Sequence, residues 1–329
     1  MVKLTGNLGV SMTHQTHLAM TSVAQVMQVR MAMYGRIRRF FQQRHVSEVE
    51  TPILSSYGST DVHIDSFVTH WQGRKMYLYT SPEFYMKRLL AADFGDCFQI
   101  GKVFRHEDNS RRHLPEFSLL EWYRLGFSTS QLIAEVFELI KTLHQPWEKL
   151  PMQVISYADA FANIGVNPHQ DSLQELRRKT TEIVGYCPNL DDNRDEWLDF
   201  LTVTQIEPTL GQNVLTFLTH YPASMAALAK KTRDADGNWV AERFELYYQG
   251  IELANGFYEL TDADEQQARF EADNDRRQQL GKPVIRYDQG LIDALRQGLP
   301  ACSGVALGLD RLLMLMLDKR DINDVAPPI

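Results

Sequence analysis

Two alternating runs, FQIGKVFR and FSLLEWYR, stand on either side of the charged segment HEDNSRRHLPE, and this pattern limits the fold more than any other in the chain. Strands this close in sequence pair antiparallel. The connection is longer than a tight hairpin needs, and polar connections of that kind often carry function. Along FSLLEWYR the period of two puts Phe117, Leu119, Glu121 and Tyr123 on one face and Leu120 and Trp122 on the other. One face thus offers an aromatic plate, a carboxylate and a phenol in a row. A core strand does not normally bury an unpaired charge such as Glu121, so this face reads as a site. Arg105 ends the partner strand with Glu107 just beyond, and the loop adds Arg111, Arg112 and His113, groups suited to a polyphosphate.

A second pair, AERFELYY and IELANGFYEL, turns at Gln249-Gly250. That turn sets Tyr247 opposite Glu252 with Glu245 diagonal to it, so both carboxylates project from one face. Side-by-side acids suit magnesium, which one or two carboxylates hold together with substrate phosphates. Two glutamates on a solvated sheet face fit this segment equally well. Asn255, Phe257 and Glu259 have the opposite parity from Glu252, and bringing all of them to one pocket requires a bulge or kink near Ala254 to Gly256. Last comes SGVALGLDRLLMLML, a small-residue strand feeding an apolar helix with Arg311 in its first turn, where an anion is favoured.

Between these segments, Met31, Tyr34, Ile37 and Phe41 recur at helical spacing from about residue 22 to 44. In MYLYTSPEFYMKRLL a strand stops at Thr80-Ser81-Pro82; Ser81 is expected to cap the following helix, with Pro82 and Glu83 in its first turn. Residues from about 146 to 220 read as helical pieces with Pro, Asn and Asp punctuation. The expected architecture is α+β, an antiparallel sheet flanked by helices: a polar N-terminal tail over 1–20, then one domain over 21–329 with a helical insertion at about 146–220.

A formal charge of -8 repels phosphate backbones, so any nucleotide contact must come from a local basic pocket and no stable nucleic-acid partner is expected. Cys97, Cys187 and Cys302 are too scattered for a disulfide framework or a metal knuckle. The opening residues lack the apolar run of a secretion signal, and no long apolar run occurs anywhere, so no membrane is expected and a cytoplasmic protein is. His14 and His17 have no acidic partner nearby and read as part of a solvated tail. The absence of GxxxxGK[ST], of GxGxxG after an early strand and of HExxH removes P-loop, dinucleotide and zincin readings.

Taken in order, EVETPIL, FRHEDNSRRHLPEF and GVALGLDR resemble motifs 1, 2 and 3 of the class II aminoacyl-tRNA synthetases. The intervening SPEFYMKRLL, FSLLEWY and ELANGFYELTD resemble the lysyl branch, and the likeness runs from about residue 25 to 318. Lysyl-tRNA synthetases carry an N-terminal OB-fold that reads the anticodon, for which there is no room here. A free-standing lysyl-type catalytic domain resembles the elongation factor P beta-lysine ligases, which attach (R)-beta-lysine to a lysine side chain of that translation factor. Ala306 is a further marker of that family, where lysyl-tRNA synthetases have Gly.

The resemblance implies roles. ATP would be held by Arg105, His106, Glu107, His113, Leu114, Phe117, Glu252, Leu253, Gly308 and Arg311, with Arg105 on the alpha-phosphate and Arg311 on the gamma-phosphate as the catalytic pair. Glu107 and Phe117 would take the adenine, and Leu114 departs from an Asn common in related enzymes. Mg2+ would fall on Glu245 and Glu252. Lysine or beta-lysine would contact Ser81, Pro82, Glu83, Glu121, Tyr123, Asn255, Phe257, Glu259 and Ala306. Elongation factor P is the implied acceptor, and the Pro52 segment resembles the class II dimer interface, which implies a homodimer. Two rivals share parts of this pattern. A tRNA-charging enzyme would use the same activation residues, whereas a non-catalytic regulator would need neither the phosphate ligands nor the metal ligands.

Overall fold

The computed structural model describes residues 22–106 and 110–326. In chain order, helix α1 (Val23–Gln42) leads to strand β1 (Ser47–Glu48) and a small sheet of β2 (Leu54–Ser55), β3 (Val68–Trp71) and β4 (Arg74–Leu78). Then come α2 (Glu83–Ala91), β5 (Cys97–Phe104), β6 (Glu116–Leu125) and α3 (Thr129–Leu143). Strand β7 (Met152–Ser156) is followed by α4 (Tyr157–Ala162), α5 (Leu173–Val184), α6 (Arg194–Leu201) and β8 (Leu215–Thr219). A short ribbon, β9 (Lys231–Arg233) and β10 (Trp239–Ala241), precedes the hairpin β11 (Arg243–Tyr248) and β12 (Ile251–Tyr258). Helices α7 (Ala263–Gln279) and α8 (Gln289–Gly298), strand β13 (Cys302–Gly308) and α9 (Leu309–Met316) complete the order.

Eight strands form the main sheet in the order β1-β5-β6-β13-β12-β11-β8-β7. The six strands from β5 to β8 pair antiparallel, as the hairpin signals require. Both edges depart from the antiparallel expectation: β1 joins β5, and β7 joins β8, in parallel. Each edge pair is separated by a long crossover, which is the connection parallel strands need. The stretch read as helical pieces over about 146–220 therefore also supplies β7 and β8, together with α4, α5 and α6.

One face of the sheet is closed by α1, α3 and α9. Leu120 and Trp122 of β6 pack there with Phe41, Leu132, Leu139 and Leu312. Ser22 caps α1 through a reciprocal pair with Gln25, and Ser128 caps α3 in the same way with Gln131. A buried ion pair ties the layers: Arg30 of α1 meets Asp310 at the start of α9 at 2.6 Å, and Asp310 also accepts the Ser118 N–H at 2.6 Å. The opposite face stays open, framed by the α2, α7 and α8 cluster around Met86, Phe270 and Leu291 and by the α4 to α6 cluster around Tyr157 and Trp197. Among the described residues no helix is long and apolar enough to cross a membrane.

Candidate active site

The open face gathers two kinds of charge. At one end, Arg105 follows β5 and places its guanidinium 5.2 Å from the Phe117 ring centre, with Nε donating to the Thr80 carbonyl at 3.4 Å. Arg311, in the first turn of α9, donates from Nη1 to the Glu252 carbonyl and carboxylate at 3.0 and 3.1 Å. Its Nη2 lies 2.7 Å from His113 Nε2, and its Nε donates to the Arg112 carbonyl at 3.2 Å. Burial and the neighbouring Glu245 push the Glu252 carboxyl above its ordinary range, while both Arg311 and Arg105 pull it down. Two guanidiniums from distant segments thus act on one carboxylate. Phe117 and Ala306 pack on Tyr79, Val103 and Leu119 to form an apolar floor beside them.

The acids come from the β11–β12 hairpin. Gln249 and Gly250 both have positive φ, 51° and 68°, the combination a two-residue hairpin turn of this twist needs. Tyr247 then faces Glu252, while Leu246 faces Ala254, so Leu253 is an extra residue in the ladder. The required bulge sits there, just before the stretch in which it was expected. It swings Glu252 onto the side shared by Asn255, Phe257 and Glu259, all of which line the cleft. Glu245 is buried and accepts from Tyr221 and Tyr247 at 2.6 and 2.5 Å, with Arg243 as its ion partner. The reading of Glu245 as a solvated surface glutamate therefore fails. Among the described residues no cluster of three or more Asp, Glu, His or Cys forms a metal cage. Glu245 and Glu252 both line the cleft, the oxygens of Glu245 engaged by Arg243, Tyr221 and Tyr247 and one oxygen of Glu252 by Arg311.

At the other end lies a carboxylate-rich pocket. Glu121 accepts from Ser81 and Tyr123 at 2.8 and 2.7 Å. Lys87, fully buried on α2, reaches Glu83 at 2.6 Å and Glu259 at 2.7 Å. Burial, reinforced by Glu83, pushes the Glu121 carboxyl up to about 8. Glu259 is pushed up to about 7 by burial and Glu83 against the pull of Lys87. Glu259 Oε2 keeps no well-aligned hydrogen bond, and Asn255 Oδ1, also buried, has none. Asn255 Oδ1 is thus an acceptor without a donor, and the three carboxylates share the single Lys87 ammonium, so the pocket is short of the positive charge that a cationic ligand would supply. Gly304, opposite both Tyr123 and Phe257 in the sheet, gives the room: a Cβ there would enter the Tyr123 ring and lie 2.6 Å from Glu259 Oε1.

A sequence profile of the tRNA synthetases class II (D, K and N) matches residues 12–327. The chain belongs to this class II synthetase family. Relatives from Salmonella paratyphi B, Salmonella schwarzengrund and Salmonella gallinarum are each 45% identical over 304 residues, covering 90% of this chain and 92% of the relative. Each of the three is named elongation factor P--(R)-beta-lysine ligase.

Residues of the second and third class II motifs, Arg105 and Gly304 to Ala306, meet at a cleft of about 790 Å³. Ser81, Glu83, Arg105, Glu121, Tyr123, Glu245, Glu252, Asn255, Phe257, Glu259 and Ala306 line it. Arg311 and His113 reach it through Glu252, and Gly308 abuts the Leu253 carbonyl. Leu253 buries its side chain in the main core and leaves only main chain for a ligand; Leu114 likewise packs against that core. His106 uses its N–H on the Asp65 carbonyl at 2.8 Å, its ring tilted against Phe67. Ser81 caps α2 as expected, accepting the Glu83 N–H at 3.0 Å, but it does so from one residue before the cap position, which Pro82 occupies. Glu107, the 1–20 tail, His14 and His17 lie outside the described residues. Sequence reasoning passed over Lys87, Arg243, Tyr221 and Glu207, all close to the acids. Only Lys87 left a signal, its spacing of four from Glu83 on one helix.

Proposed function

We propose that this chain is an ATP-dependent ligase that activates (R)-beta-lysine, or lysine, as its adenylate and transfers it to a lysine side chain of elongation factor P. One observation carries the reading: a pocket with surplus buried carboxylate shares one cleft with Arg105 and with Glu252, the carboxylate to which Arg311 is paired. A molecule bound across it would be cationic at one end and meet a polyphosphate at the other. The names of the relatives support the acceptor. In this reading Glu83, Glu121 and Glu259, with Asn255 Oδ1, hold the ammonium groups. Arg105 and Arg311 hold the phosphates, and the adenine stacks on Phe117. A bound magnesium would neutralise phosphate charge beside Glu252 and Glu245.

The reaction then needs no enzyme nucleophile. A carboxylate oxygen of the amino acid attacks the alpha-phosphorus, the bond to pyrophosphate breaks, and the acceptor amine displaces AMP from the anhydride carbonyl with loss of its proton. The chain contributes positioning and fixed positive charge at the oxygens where charge builds up. A homodimer belongs to the same reading, and Ile53 and Leu54, exposed beside Pro52, are the apolar positions it would cover.

The acceptor is tested by incubating the enzyme with ATP, one lysine isomer at a time and elongation factor P, then weighing the factor. A mass gain of one residue, lost when ATP is withheld, is the expected outcome. Charging of tRNA with an unmodified factor would replace this reading by the tRNA-charging one. The pocket also dictates a pH dependence. With Glu121 up to about 8 and Glu259 about 7, both lose charge as pH falls, whereas the substrate's side-chain amine stays charged to about pH 10. The KM for the amino acid should therefore fall as pH rises from about 6 to 8, while that for ATP does not follow it. A KM that is flat or rises over that range would contradict the carboxylate assignment.

A further inference from the structure

Lys87 is the one fully buried lysine among the described residues, and burying an ammonium is costly without paired anions. Here both partners are carboxylates assigned above to the amino acid, Glu83 at 2.6 Å and Glu259 at 2.7 Å. Nothing about holding α2 against the sheet requires this arrangement, since Met86 and Leu90 already pack that helix into its cluster. What the lysine changes is the electrostatics of the pocket. Glu83, Glu121 and Glu259 together carry three negative charges when ionised, and Lys87 cancels one of them.

We propose that Lys87 is a built-in counter-ion that fixes the pocket at two uncompensated carboxylates, matching the two ammonium groups of a diamino acid. This rests on the functional reading above and adds to it a specificity-determining positioning residue. A monoamino acid leaves one buried carboxylate unpaired in such a pocket and is rejected by that cost, in the same way that a site built for a polar group rejects an analogue lacking it. Lys87 also fixes where the two pairs form. By bridging Glu83 to Glu259 it orients both carboxylates and leaves Glu121, held by Ser81 and Tyr123, facing the cavity.

Charge counting makes the test sharp. Glu259→Gln leaves one uncompensated carboxylate, whereas the double variant Lys87→Met/Glu259→Gln removes one charge of each sign and restores two. Calorimetric titration with L-lysine and (R)-beta-lysine should show Glu259→Gln binding about a hundredfold more weakly than the wild type, as expected for a lost charge-assisted contact. The double variant should recover about tenfold of that loss, since neighbouring charges couple strongly and the changes are not additive. Because it removes both members of a buried pair, the double variant is also the less disruptive of the two to the fold. ATP affinity should be the same in both variants, which reports that the nucleotide end is intact.

A merely structural lysine predicts the reverse order, with the double variant binding lysine no better than Glu259→Gln or losing ATP together with lysine. Either result would overturn the counter-ion role. If instead the wild type binds neither lysine isomer, it is the functional reading that fails. The two failures are thus distinguishable.

Discussion

Replacing Arg105 by Ala abolishes lysine-dependent ATP–pyrophosphate exchange, with a loss of about a thousandfold or more, and leaves the protein folded. In the proposed reaction, catalysis consists of positioning two anions and stabilising the charge that gathers on the phosphate oxygens, and single fixed cations in such a role carry effects of that size. Among the described residues, no neighbouring arginine is free to substitute for Arg105. Arg311 is already engaged with Glu252 and His113, and Arg112 donates to the Gly250 carbonyl. The fold, by contrast, asks little of the Arg105 side chain: one hydrogen bond of 3.4 Å to a carbonyl and a stack on Phe117. A half-buried cation with such contacts costs under about 1 kcal/mol of stability when removed. Circular dichroism should show an unchanged unfolding transition beside the lost exchange. Retained exchange would show that the phosphate assignment is wrong.

Asp310→Ala has the opposite signature, a large loss of stability. Both oxygens of this buried carboxylate are spoken for, one by Arg30 at 2.6 Å and one by the Ser118 N–H at 2.6 Å. Arg30 is itself buried, and its Nη2 also donates to the Val325 carbonyl at 2.7 Å. Truncation leaves a guanidinium in the core without its counter-ion, which costs about 3–5 kcal/mol. Against a typical total of about 5–15 kcal/mol this is a large fraction. Urea titration should show a strongly lowered midpoint at constant slope. Because Asp310 immediately precedes Arg311, the same variant should also lose activity through a loosened first turn of α9. An unchanged midpoint would mean that the Arg30 pair contributes nothing to holding α1 on the sheet.

How much of this was legible in the sequence depended on the range of the interactions involved. The two hairpin signals were local, so the pairing of Tyr247 with Glu252 and the split of β6 into Glu121 and Tyr123 against Leu120 and Trp122 could be read from alternation and one turn. The need for a bulge was legible from parity alone, because carboxylates of opposite parity had to share a face; its place at Leu253 was not, since either neighbour satisfies the count. Strand β8 is buried on both faces and shows no alternation, and its parallel partner β7 arrives from across the α4 to α6 segment. A single window sees neither signal. The Arg30 to Asp310 pair spans 280 residues, beyond any periodicity argument. Lys87 was hidden for another reason: on a helix rich in charge, a lysine four residues after a glutamate reads as a surface pair, and only tertiary burial turns it into part of the pocket.

The central question is whether the carboxylate-rich pocket and the two guanidiniums serve one reaction. Pyrophosphate exchange into ATP, measured with the wild type, Arg105→Ala and Arg311→Ala, each with and without lysine or (R)-beta-lysine, answers this. Exchange that requires the diamino acid and disappears in both arginine variants is the predicted result. Exchange that ignores the amino acid, or that survives in either arginine variant, would contradict it.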